Sequence, residues 1–120
     1  MYDMKALYQA TSVADAVELR VAHPEAQIIA GGSDVLVQMR EGKRAGVELI
    51  SIYGLDELRG VSLEDDGTLR IGSLTSFSHI TRDPLIQKYL NVLGEAVDQV
   101  GGPQIRNIGT IGGNTCNGVT

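Results

Sequence analysis

Apolar positions recur along this chain with two different periods, and the changes of period mark out its elements. Residues 6–9 are a short extended run, after which Val13, Ala16, Val17 and Val21 recur at helical spacing on one face. Ser12 followed by Asp15 has the form of a capping box, so a helix is expected over 12–22. His23-Pro24 ends it, because the residue before a proline is pushed out of the α region, and His23 becomes a helix-end residue with no ligand role. Residues 27–30 are apolar enough for a buried strand. Gly31, Gly32 and Ser33 then read as a tight turn into a second helix. Its apolar stripe is Val35, Leu36 and Met39, Arg40 lies in its last turn, and Gly42 sits just past its end. A third strand over 47–52 completes a β-α-β-α-β unit whose sheet should be parallel and whose crossovers should be right-handed.

The pattern then changes. Val61 and Leu63 alternate with Ser62 and Glu64, Leu69 and Ile71 alternate with Thr68 and Arg70, and Asp66-Gly67 between them signals an antiparallel hairpin over 60–72. Short helices follow: one near 75–80, one begun by Asp83 as N-cap with Pro84 behind it, and one with the stripe Leu93, Ala96, Val97 and Val100. Gly101-Gly102-Pro103 stops the last of these. His79, beside Phe77 and Ile80, reads as a packing or surface residue, since no nucleophile or carboxylate pattern accompanies it. The chain is expected to return to extended structure and reach a glycine loop at 104–114, Gln-Ile-Arg-Asn-Ile-Gly-Thr-Ile-Gly-Gly-Asn. Gly109, Gly112 and Gly113 permit positive φ and close approach to a ligand, with amide donors offered to an anion. The turn at Gly31 and Gly32 is of the same kind, and two such loops suggest one ligand held between them. Either loop alone is equally well read as a turn in an unliganded α+β domain.

Composition narrows the function classes. With 120 residues, 42% of them hydrophobic, the chain suits one modest domain or a piece of one. Its 10 Lys+Arg against 15 Asp+Glu give a net charge of −5, with the cations scattered, which argues against a nucleic-acid partner. No run approaches the roughly 18 apolar residues of a membrane span, and the N-terminus lacks the pattern of a signal peptide, so a cytoplasmic location is expected. The single cysteine, Cys116, allows no internal disulfide and no metal spacing; it reads as a small buried hydrophobe. No repeat or low-complexity tract is present.

Three segments carry a family resemblance: Ile28-Ile29-Ala30-Gly31-Gly32-Ser33-Asp34, Gly72-Ser73-Leu74-Thr75, and the run from Gln104 through Asn114. Together, in order and over essentially the whole chain, they resemble the FAD-binding subunits of molybdenum hydroxylases, nearest the xanthine dehydrogenase branch. The resemblance implies an α+β fold of the vanillyl-alcohol oxidase (PCMH) type. In it, FAD lies between a small parallel subdomain, here 1–54, and the opening of an antiparallel one with helices, here 55–120. Carried over by position, it implies that Gln27, Ile28, Ile29, Ala30, Gly31, Gly32, Ser33 and Asp34 line the pyrophosphate and ribose side. Gly109, Thr110, Ile111, Gly112, Gly113 and Asn114 would approach from the second subdomain, and Val100 would make an apolar contact. The Asp34 amide is expected to face FAD, with its carboxylate turned away from the pyrophosphate. Valine at Gly32 or at Gly113 should then weaken FAD binding by more than roughly tenfold, through strain and lost space.

The implied activity is electron transfer through FAD, with no residue of this chain needed as acid, base or nucleophile. The expected partners are a molybdenum-cofactor subunit and a [2Fe-2S] subunit, with NAD as one acceptor. The alternatives are the FAD subunit of a carbon monoxide or aldehyde dehydrogenase and, from another class, a non-catalytic α+β interaction module or inactive fragment. Family members continue through an acidic residue, further antiparallel strands and a C-terminal domain against the flavin ring. The 120 residues alone are therefore expected to bind FAD poorly and to expose an apolar face.

Overall fold

The computed structural model describes residues 2–118, and the chain separates into two units, Met1–Asp56 and Glu57–Thr120. In the first, β1 (Met4–Gln9) leads to α1 (Val13–Ala22), β2 (Gln27–Ile29), α2 (Val35–Arg40) and β3 (Val47–Ser51). All three strands are parallel in the order β1-β3-β2, with Tyr8 opposite Ile50 and Ile28 opposite that same residue from the other side. This is the parallel β-α-β-α-β arrangement that the hydrophobic periods predict. The strand β3 is the buried centre: Leu49 and Ile50 are closed off, and Ile29, Met39 and Leu49 form a core against Val35 and Val47.

Two details of unit 1 differ from the sequence expectation. β2 is an edge strand and only half of it is buried; Ile29 faces Met39 and Leu49, whereas Ile28 stays 42% exposed. Alternation along a strand sends neighbours to opposite faces; on the Ile28 face Ile50 of β3 is fully buried, but that cover does not reach the edge strand. On α1, Val17 and Val21 point outward and no residue is fully buried. The half-buried positions are Asp15, Ala16 and Leu19 instead. The ends of α1 are nonetheless set as the capping pattern predicts. Ser12 Oγ accepts the Asp15 amide at 3.0 Å, and the Asp15 carboxylate accepts the Thr11 amide at 2.8 Å. Arg20 pins the other end, donating to the carbonyls of Pro24 and, at 3.0 Å, Ala26. His23 closes the helix through its amide to the Leu19 carbonyl, and its ring stacks on Tyr8 at 4.1 Å.

After a 3-10 turn at Asp56–Leu58, the second unit opens with the antiparallel pair β4 (Val61–Leu63) and β5 (Leu69–Ile71), in the register Val61 to Ile71 and Leu63 to Leu69. The hairpin turn is wider than a two-residue Asp-Gly loop. The Glu64 amide reaches the Thr68 carbonyl at 2.8 Å, and Gly67 takes φ +88° within that loop. Asp66 accepts the Thr68 amide at 2.9 Å, and that bond holds its carboxyl below the usual carboxylate range.

Five short helices follow: α3 (Phe77–Arg82), α4 (Pro84–Tyr89), α5 (Asn91–Val97), α6 (Pro103–Ile108) and α7 (Ile111–Asn117). Asp83 caps α4 as expected, through the Leu85 amide, and its second oxygen lies 3.0 Å from Nε2 of the exposed His79. Phe77, Ile80, Ile86 and Val97 form the core, with Val61, Leu69, Ile71, Leu93, Val100 and Ile111 packed around them. The main correction falls on residues 104–114. They are not an extended glycine loop but two helices joined at Gly109 and Thr110. Gly102 and Pro103, which end the preceding segment, also start the next, since proline is favoured at the first helical position.

Candidate functional site

The two stretches singled out by their glycines differ in what their backbones offer. In unit 1 the polypeptide leaves β2 at Ile29, passes Ala30 and Gly31, and reaches Gly32, where φ is +80°. That value suits glycine and strains any residue with a Cβ. The Gly32 carbonyl accepts the Leu36 amide at 3.0 Å, so helical hydrogen bonding begins at Gly32, ahead of α2 proper. Among the described residues, the amides of Gly31, Gly32 and Ser33 meet no acceptor. Ser33 and Asp34 are exposed and the glycines half-buried, so these N–H groups are open to an incoming anion. Gln27 anchors the strand's start, its Nε2 donating to the Ile28 carbonyl at 2.9 Å while its Oε1 accepts from Arg44 at 2.6 Å. The Asp34 carboxylate makes no cap bond; it accepts from Gln38 Nε2 at 2.6 Å.

In the second stretch the amides of residues 111–114 are already committed. Ile111 donates to the Thr75 carbonyl at 3.1 Å, Gly112 to the Ser73 carbonyl at 2.8 Å, Gly113 to Thr110 Oγ1 at 3.1 Å and Asn114 to the Thr110 carbonyl at 3.0 Å. Nor do Gly109, Gly112 and Gly113 take positive φ. Glycine is required there by packing. A Cβ on Gly112 would lie 2.7 Å from the Ser73 carbonyl oxygen, and one on Gly109 would lie 2.9 Å from the Ile105 carbonyl oxygen and 3.1 Å from the Phe77 ring. The expectation that this stretch supplies open amides to an anion is therefore corrected for Ile111, Gly112, Gly113 and Asn114. Its exposed positions are Gln104, Ile105, Asn107 and Ile108 on α6 and Gly113 and Asn114 on α7, while Thr110 is buried and Gly112 half-buried. Val100 lies beyond α5, packed on the Phe77, Ile80, Ile86 and Val97 core, as does Ile111.

Thr110 holds this arrangement together. It is 5% exposed, forms a bridge with Ser76, and caps α7 through its hydroxyl. Thr110→Ala should cost about 1 kcal/mol, the usual loss for an N-cap, while Thr110→Ser should retain most of it. Denaturant midpoints of the two variants give the comparison. Sequence reasoning missed Thr110 as a cap, although Thr110 with Gly118 at φ +63° brackets α7 in the usual way. It also missed Gln38 and Arg44, for which the only signal was the four-residue spacing of Asp34 and Gln38 on a helix.

No group of three metal-type side chains is gathered among the described residues, and none of the described helices is long and apolar enough to cross a membrane. Cys116 is exposed, not buried as expected, because α7 turns it outward. The open amides of residues 31–33 fit a diphosphate, which accepts several N–H bonds, each charge-assisted one contributing about 1.5 to 3 kcal/mol. At Gly32 the missing Cβ leaves room for the Leu36 and Ile29 side chains and permits the φ of +80° that shapes the loop.

The chain matches known proteins along its length. Residues 2–120 match the family described as the FAD binding domain in molybdopterin dehydrogenase. A xanthine dehydrogenase FAD-binding subunit of Escherichia coli O157:H7 is 42% identical over 120 residues, covering 100% of this chain and 41% of that protein. The nicotinate dehydrogenase FAD-subunit of Eubacterium barkeri is 41% identical over 87 residues, 72% of this chain and 29% of that one. Among solved structures, carbon monoxide dehydrogenase from Hydrogenophaga pseudoflava superposes with a TM-score of 0.93 at 33% identity, covering 98% of this chain and 41% of that chain. The chain thus spans about two fifths of the length of the E. coli relative. With a family match that runs through both glycine stretches, the chain belongs to the FAD-binding domains of the molybdopterin dehydrogenases.

Proposed function

We propose that the chain is the FAD-binding portion of the electron-transfer subunit of a molybdenum-containing hydroxylase of xanthine dehydrogenase type. The observation that carries this reading is the loop Gly31-Gly32-Ser33, whose unengaged amides stand in a chain that matches an FAD-binding family over residues 2–120. In this reading the residues from Gln27 to Asp34 hold the cofactor's pyrophosphate and ribose, and the loop amides orient the phosphates without any proton transfer. Within the second unit, Gly109, Thr110, Ile111, Gly112, Gly113 and Asn114 are further proposed cofactor positions, and Val100 a proposed apolar one. The bound flavin would supply the redox chemistry, taking electrons from iron–sulfur clusters on one partner, reduced by a molybdenum subunit, and passing them to NAD or another acceptor. The fold assignment that goes with it is the PCMH type, with the parallel subdomain at 1–54 and the second from 55 onward.

An absorption spectrum of the full-length protein tests the proposal. Flavin bands are expected, at one FAD per subunit; a well-folded, colourless protein that cannot be reconstituted with FAD would overturn it. The likeness to carbon monoxide dehydrogenase at a TM-score of 0.93 favours a second reading within the same family, a carbon monoxide or aldehyde dehydrogenase. Substrate profiling of the assembled complex separates the two.

A further inference from the structure

Beside the glycine loop, an acid stands where it would compete with an anionic ligand. Asp34 is in αR conformation, in the first turn of the hydrogen bonding that begins at Gly32. Aspartates there bond readily to their own or neighbouring free amides, and their charge is favoured by the N-terminal end of the dipole. Yet the Asp34 carboxylate makes no cap bond and instead accepts from Gln38 Nε2 at 2.6 Å. Gln38 donates in that direction because Arg44 fixes its amide. The guanidinium Nε donates to Gln38 Oε1, so the NH2 side must face the acid. The other arm, Nη1, donates to Gln27 Oε1 at 2.6 Å, at the start of β2. Gln27, Gln38 and Arg44 are all half-buried and the two Arg44 bonds are part-buried, while the Gln38–Asp34 bond they orient is exposed. The nearby cation Lys43 pairs with Glu41 at 2.8 Å and also feels the Asp34 charge, while Gln38 is the group that hydrogen-bonds the Asp34 carboxylate.

We propose that Gln38, oriented by Arg44, is a positioning residue that withholds the Asp34 carboxylate from the loop amides and keeps Gly31, Gly32 and Ser33 free for the pyrophosphate of the cofactor. This rests on the FAD reading given above and deepens it. The device resolves an apparent conflict, a carboxylate placed within a phosphate-binding loop. Its negative charge is bonded sideways along the helix, while the backbone N–H groups remain available.

The test uses the full-length apoprotein with FAD, and ADP as a probe of the pyrophosphate alone. Both dissociation constants are measured by fluorescence, directly for FAD and by competition for ADP. Gln38→Leu removes the donor without changing any charge, and Gln38→Met is a second such variant; whichever keeps the wild-type melting temperature is used. Either should weaken FAD and ADP by roughly tenfold, the scale expected when a freed carboxylate occupies or repels the site. Asp34→Ala placed on the same variant should recover binding to within about threefold of Asp34→Ala alone, because no acid is left to withhold. A structural loss at Gln38 would not be relieved in this way. Wild-type affinity in both Gln38 variants, or a loss that Asp34→Ala fails to relieve, overturns the positioning role while leaving the FAD assignment standing. Failure of the wild-type protein to bind FAD overturns the assignment and this inference with it.

Discussion

Gly72→Ala is expected to destabilise the full-length protein by about 3 kcal/mol or more, a loss at the upper end for a single added methyl group. A Cβ at Gly72 would sit 2.2 Å from the Leu58 carbonyl oxygen and 2.6 Å from its carbon. Both are backbone atoms, so no rotamer change relieves the contact. The two segments are also tied at this point, Gly72 donating to the Gly60 carbonyl and Leu74 to the Leu58 carbonyl, each at 2.9 Å. Any retreat that makes room for the methyl group stretches one of these bonds. Gly54→Ala is the control, since a Cβ there meets nothing within 4 Å and the backbone has no positive φ; its change should stay within about 0.5 kcal/mol. Urea midpoints measure both. A Gly72→Ala protein that unfolds at the wild-type midpoint would contradict the close approach of Gly72 to Leu58.

Gly32→Val should reduce FAD affinity by more than roughly tenfold with the fold retained. Two effects combine. At φ +80° a β-branched side chain is strained by about 1 to 3 kcal/mol. Its Cβ would also lie 3.0 Å from Leu36 Cδ1 and 3.3 Å from Ile29 Cδ1. Those are ends of side chains that can give way, so the core of unit 1 survives, but the loop must shift and its open amides shift with it. Flavin content of the purified full-length variant, together with its melting temperature, reads the two outcomes separately. Wild-type flavin content would place the pyrophosphate somewhere other than residues 31–33. At Gly113 the argument from positive φ is absent, and a Cβ meets only Thr110 Oγ1, at 3.0 Å. Valine there should mainly weaken the cap of α7, by about 1 kcal/mol.

The contrast between these glycines shows what the sequence makes legible. Gly31 and Gly32 lie between a short apolar run and a helical stripe, so the local pattern alone identifies the turn and its open backbone. Asp83-Pro84 and Ser12 with Asp15 likewise announce their helices, because a cap is a local device. Residues 104–114 mislead for the same reason. Gly109, Gly112 and Gly113 count against a helix by intrinsic propensity, at about 1 kcal/mol for each glycine in a helix interior. What outweighs that cost lies more than thirty positions earlier in the chain, where Ser73 and Thr75 accept the first amides of α7 and leave no space for a Cβ at Gly112. The outward turn of Val17 and Val21 is hidden in the same way, since periodicity locates a stripe without saying which side meets the sheet. In the candidate site, the loop was visible as a motif. The sideways hold on Asp34 needed coordinates, because Arg44 reaches Gln38 and Gln27 from beyond the end of α2.

The central place of β3 bears on how unit 1 is made. Among the described residues β1 and β2 each pair with β3 alone, and Met4 meets Val47 at one end of that ladder. On a growing chain neither outer strand has a partner until residues 47–51 emerge, and two long loops must close before any strand pairing offsets their entropy. The turn at Gly31 and Gly32 leaves β2 directly, so in the proposed reading the pyrophosphate loop hangs from a strand whose partner, β3, comes later in the chain.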